Sequence, residues 1–177
     1  MKHLVGTLIL AVALMGCGDK HDHDHDHAHG DEGPHQGMMA ELIQNGNSAG
    51  KAELKLHDDK GDLELWLTTK DDAPLDIAIG STVEVKFFDV GGEQKTVTLA
   101  ARNLEKNEDE DGKANNRDGK TNYFIYPSKD GQDASWLQGK DFAADVQLKF
   151  NDGDTMYVST KFKLVPHGLH GHDHSHD

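Results

Sequence analysis

Cysteine is almost missing from this chain: Cys17 is the single one in 177 residues. One thiol cannot close a disulfide within the chain or build a thiolate zinc site. Its place at the end of an N-terminal apolar run also removes it as a nucleophile. Positive charge is scarce as well. Lysine and arginine total 18 against 32 aspartates and glutamates, a formal net charge of −14. That sign repels nucleic acid and anionic lipid and gathers cations, so nucleic-acid binding is excluded as a role. Long apolar runs are lacking too: residues 4–15 fall short of the roughly 20 that span a bilayer. No segment sustains a helical period, and no Gly-x-Ser-x-Gly elbow, His-Glu-x-x-His pair or phosphate loop occurs. The expectation is a protein that is not an enzyme.

What the chain does have begins with a targeting segment. Lys2 precedes the short apolar run, and Leu14-Met15-Gly16-Cys17 ends it. The four residues resemble the lipobox of bacterial lipoproteins, which implies lipidation at Cys17 after removal of residues 1–16. The implied location is the cell envelope, attached through lipid without a spanning helix. Gly18 after the cysteine, rather than aspartate, favours the outer over the inner membrane. Residues 17–36 then read as a tail, 37–166 as one domain and 167–177 as a second tail.

Within the domain, apolar residues alternate. Ala52, Leu54 and Leu56 are followed, across a turn at 58–62, by Leu63, Leu65 and Leu67. Val83, Val85 and Phe87 precede the Gly91-Gly92 break, and Val97, Leu99 and Ala101 follow it. Ala144, Val146, Leu148 and Phe150 lead into Asp152-Gly153, after which Met156, Val158, Phe162 and Leu164 resume the period. Period two with Asp-Gly turns predicts antiparallel hairpins. Shorter candidates lie at 38–43, 76–79 and 122–126, with a single helical turn at 135–137. The predicted fold is all-β: one antiparallel sandwich of immunoglobulin-like size, with a small barrel as the alternative. Trp66, Phe88 and Tyr157 fall out of phase with their strands and point to a packed second face, or else a binding patch. His57, ending a polar strand face, reads as an exposed turn residue.

Histidine is concentrated in the tails. The first carries His21, His23, His25, His27 and His29, interleaved with Asp22, Asp24 and Asp26, and then His35. The second carries His167, His170, His172, Asp173, His174 and His176. Neutral imidazole is a common ligand for divalent transition metals, and carboxylates can complete a coordination shell or orient the imidazoles. Nitrogen and oxygen donors suit Zn²⁺, with Ni²⁺, Cu²⁺ and Co²⁺ also accommodated. Ordering an extended strip costs conformational entropy, so each site is modest in affinity while capacity is high. The predicted role is a buffer, scavenger or relay whose partner is a metal transporter or efflux component. The competing role is an envelope interaction or structural module with incidental metal binding.

The order of elements carries a resemblance over most of the chain. It runs from the His/Asp tail through Gly33-Pro34-His35-Gln36-Gly37, Glu41-Leu42, the Ala52-Glu53-Leu54 hairpin and the stretch at 71–77 to a second His-rich end. It is similar to small His-rich bacterial lipoproteins, associated by analogy with periplasmic heavy-metal efflux adaptors. The resemblance implies a β fold and an association with metals. Gln36 stands where that pattern has glycine, and the acidic insert near 105–120 departs from it.

Two smaller candidates remain. Asn107, Asp109 and Asp111, with Gly112 and Asp118, approach a calcium loop, although position twelve is aspartate and no flanking helices are predicted. An acidic, solvated hairpin loop is the simpler reading. His35 with Met38 and Met39 offers nitrogen and sulfur donors to copper, but neighbouring methionines on a strand face opposite ways.

Overall fold

The structure, a computed structural model, describes residues 32–167. Cys17, the imidazoles and carboxylates at 21–29, and those at 170–177 lie outside the described residues. Eleven strands follow in order: β1 (Met38–Gln44), β2 (Asn47–Leu56), β3 (Leu63–Thr69), β4 (Ile77–Ala78), β5 (Thr82–Val90) and β6 (Glu93–Ala100). The rest are β7 (Lys120–Thr121), β8 (Tyr123–Tyr126), β9 (Ala144–Asp152), β10 (Thr155–Ser159) and β11 (Phe162–Leu164). A single 3₁₀ turn occupies Ser135–Leu137. The turns are built from residues that tolerate positive φ; Asn45 and Gly46, at 49° and 78°, join β1 to β2.

Pairing runs β10–β1–β2–β3–β8–β6–β5–β9, and β9 pairs back onto β10, so the sheet closes into an eight-stranded antiparallel barrel. The all-β antiparallel expectation holds, and the architecture is the barrel alternative rather than two facing sheets. The reason lies in β9. Its nine residues pair with β5 along one side, and on the other with β10 near Asp152 and β11 near Ala144. That continuity leaves no open edge between two layers. β4 and β7 form a separate short ribbon.

The inward faces supply the core: Leu54, Leu56, Leu63, Leu65, Leu67, Val83, Val85, Phe87 and Leu99 are fully buried. One predicted phase is reversed. Met156 is half exposed, whereas Tyr157 stacks on Phe150 at 4.8 Å and Ser159 is buried. The chain breaks at Thr160, where Ser159 Oγ accepts the Leu148 N–H at 2.9 Å, and this break separates β10 from β11. Extrapolating one phase across it was the error.

Over Ala52–Leu56 and Leu63–Leu67, β2 and β3 are buried on both faces. Their outward residues Glu53, Lys55, Glu64 and Trp66 are 3–6% exposed. Trp66 packs there with Tyr123 and Ile125, so the second packed face predicted for Trp66 exists. Phe88 instead lies beneath the ammonium groups of Lys86 and Lys161.

Candidate metal centre

The hairpin between β2 and β3 is closed by His57 N–H donating to Asp62 O and Gly61 N–H donating to His57 O, at 2.9 and 2.8 Å. Gly61 is required there: a Cβ would fall 2.2 Å from Ala134 O, and its φ is +76°. The turn places His57 just past β2 in the outward phase of Lys55, while Lys55 pairs across the ladder with Glu64. His57 Nε2 lies 3.0 Å from Glu64 Oε2. The His57 side chain is 17% exposed, which corrects its reading as an exposed turn residue.

A third donor arrives from the acidic loop. Glu110 Oε2 is 3.5 Å from His57 Nε2, and Glu110 Oε1 accepts from Lys55 Nζ. The loop is held in place by Asn107, which is fully buried. Its Oδ1 accepts the Arg102 N–H, and its Nδ2 donates to Thr121 Oγ1 and Tyr123 O, each at 2.8 Å. Among the described residues, His57, Glu64 and Glu110 are the one group of three whose donor atoms all fall within 4.8 Å. They line a cleft of about 370 Å³ together with Asp59, Lys60, Asp62 and Arg102.

Burial alone pushes the Glu64 carboxyl up, but hydrogen bonds from His57 and Tyr123 and the charge of Lys55 outweigh it. They hold Glu64 below its ordinary value and therefore ionised. Burial, and then the Glu64 carboxylate, push the Tyr123 hydroxyl far upward, so it stays protonated and donates to Glu64 Oε1. That leaves Glu64 Oε2 turned to His57.

The roots of both tails meet this same face. His35 N–H and Gly37 N–H donate to Glu53 Oε1 at 2.7 and 2.9 Å, and the His35 ring stacks on Trp66 at 4.0 Å. Gly33 permits the approach, since a Cβ there would meet Glu53 Cδ at 2.3 Å. At the other end of the chain, His167 N–H donates to Leu56 O at 3.0 Å, its Nδ1 lies 3.1 Å from the same oxygen, and its ring meets that of His57 edge-on at 4.6 Å. Glu53 and Leu56 are three residues apart on β2, or about 10 Å. The two histidine-bearing roots are therefore fastened to one strand.

Of the predicted ligands, the structure describes His35, His167 and the calcium candidates. His35 and His167 reach β2 but do not touch each other's anchor. Asn107 and Asp109 serve the loop itself: Asp109 accepts from Lys113 N–H and Asn115 Nδ2. Asp118 sits in a turn at φ +52°, and among the described residues the carboxylates of Asp109, Asp111 and Asp118 do not form a ligand group. The copper trio is split, with Met38 in the core and Met39 beside His35 on the outer face. Sequence reasoning missed Glu53, Lys55, Glu64, Glu110 and Tyr123. Polar residues in the outward phase read as solvated, and the available signal was Trp66 in that same phase. Compared with protein-family models, curated proteins and solved structures, the chain matches none.

Proposed function

We propose that this protein captures divalent transition metals in the bacterial envelope, Zn²⁺ foremost, and buffers them or relays them to a transporter or efflux component. The lipobox-like sequence ending at Cys17 supports attachment to a membrane through lipid. The tails supply the donors, in numbers that no folded core requires. One structural observation carries the reading furthest: His35 and His167, one from each tail, are tied to Glu53 and Leu56 of the same strand. Roots held about 10 Å apart raise the effective concentration of one tail's imidazoles around a metal held by the other. Separate strips of low affinity then act as one multidentate pool.

Protons compete for imidazole, so capture weakens as pH falls through the imidazole range. The deciding measurement is calorimetric titration of the full chain with Zn²⁺, Ni²⁺ and Cu²⁺, against a chain whose histidines at 21–29 and 170–176 are asparagine. Stoichiometry drops sharply in the substituted chain if the tails carry the metal. Unchanged stoichiometry sinks the proposal.

A further inference from the structure

We infer that the barrel carries a metal seat of its own, formed by His57 Nε2, Glu64 Oε2 and Glu110 Oε2, with His167 at the root of the C-terminal tail beside it. The donor spacing is the first argument. Tetrahedral zinc with bonds of about 2.0–2.2 Å separates its ligands by roughly 3.3–3.6 Å. His57 Nε2 already stands 3.0 Å from Glu64 and 3.5 Å from Glu110, and all three donors fall within 4.8 Å. One imidazole and two carboxylates form a nitrogen and oxygen set suited to Zn²⁺ or Co²⁺ rather than to a soft ion.

Charge is the second argument. Four carboxylates line the cleft, from Asp59, Asp62, Glu64 and Glu110, against the cations Lys60 and Arg102. Lys55 holds only Oε1 of Glu110, leaving Oε2 for a metal. Tyr123 likewise occupies only Oε1 of Glu64. Each carboxylate is thus oriented through one oxygen while the other faces His57 Nε2, so a metal would take the place of the Nε2 proton between them.

His167 is the third. With Nδ1–H directed to Leu56 O, the neutral ring carries its lone pair on Nε2. Its ring lies edge-on against that of His57, so the first histidine of the C-terminal tail packs against a member of the cluster. A three-ligand seat with one position open to the tail allows an ion to pass between them by exchanging one imidazole at a time.

The test uses the full chain with the histidines at 21–29 and 170–176 replaced by asparagine, titrated with Zn²⁺ against a chromogenic chelator and with Co²⁺ by visible absorption. One equivalent of Zn²⁺ should remain, and the Co²⁺ complex should show tetrahedral ligand-field bands. In that background E110Q and H57Q should each weaken binding at least about tenfold, and H167Q by a smaller factor. Glu110 lies on a half-exposed loop, so E110Q keeps the fold, and circular dichroism verifies this. No retained equivalent, or E110Q binding as tightly as its parent, overturns the seat and leaves the cluster an ion-pair network only. If the parent chain and the substituted chain each bind one equivalent, the seat stands and the tail-capture reading fails.

Discussion

Glu53 and Glu64 lie on the same outer face of adjacent strands, and each is 3% exposed. Their pKa values nevertheless move in opposite directions. Burial raises Glu53, and the N–H groups of Gly37 and His35 only partly counter it. Burial raises Glu64 as well, yet the side chains of His57 and Tyr123, with Lys55 nearby, reverse the sign. Equal burial with opposite outcomes means that the donors decide the direction of the shift, not the depth. The Glu53 end is a latch that fastens backbone. The Glu64 end is a preorganised anionic group next to an imidazole. One end fastens the backbone that carries His35, and the other sets two carboxylates beside an imidazole.

The largest break in this comparison should come from Asn107→Ala. It removes three buried hydrogen bonds that hold the acidic loop over the Glu64 end and leaves the Glu53 latch untouched. A loss of about 3 kcal/mol is expected in chemical denaturation. Zn²⁺ binding by the seat should fall with it, while proteolytic protection of the Gly33–Gly37 turn persists.

Next in size is Glu64→Gln, expected to cost about 2 kcal/mol at neutral pH, because charge-assisted bonds to His57 and Tyr123 become neutral ones. The sign in pH follows from the lowered pKa. The folded value lies below the ordinary 4.5, so the stabilisation is present above 4.5 and lost as pH falls through the folded value. The variant should lack that acid limb. An identical limb in both proteins removes Glu64 as its source.

How much of this was legible beforehand follows from the same strands. Ala52, Leu54, Leu56 and Leu63, Leu65, Leu67 announced both strands and their hairpin, because period two is a property of neighbouring residues. Closure into a barrel depends on which distant strand β9 meets at each end, and no local pattern carries that. The site was hidden for a related reason. Glu53, Lys55 and Glu64 look like any solvated strand face until the Gly33–Gly37 turn and the loop around Asn107 cover them. Those covers come from 16 and 55 residues away in sequence. Trp66 in the polar phase was the one local sign that the face was not wet.

Glu53→Gln sharpens the comparison from the other side. The amide oxygen still accepts from His35 and Gly37, and the charge that burial opposes is gone. The raised pKa of Glu53 means that its contribution is fully present below 4.5 and is lost as pH rises through the folded value. A gain of about 1 kcal/mol is therefore expected at neutral pH, with the stability curve flattened above 4.5. A loss as large as that of Glu64→Gln would show that the two carboxylates do the same job.

The smallest effect should come from the latch's own backbone. Gln36 stands at φ +65°, a left-handed conformation that costs a residue with a Cβ about 1–2 kcal/mol. Its N–H donates to Gly33 O, so the turn that delivers His35 and Gly37 to Glu53 is built around this strained residue. Gln36→Gly relieves the strain but gives the unfolded chain more freedom, which returns roughly 0.5–1 kcal/mol. The net should be a stabilisation of about 0.5 kcal/mol, read as a small rise in the denaturation midpoint. Because Glu53 binds the turn through its amides and not through residue 36, the gain should persist in the Glu53→Gln background. If instead it vanished there, the strain at Gln36 and the burial of Glu53 would be one coupled feature, and the latch would be tensioned rather than merely closed.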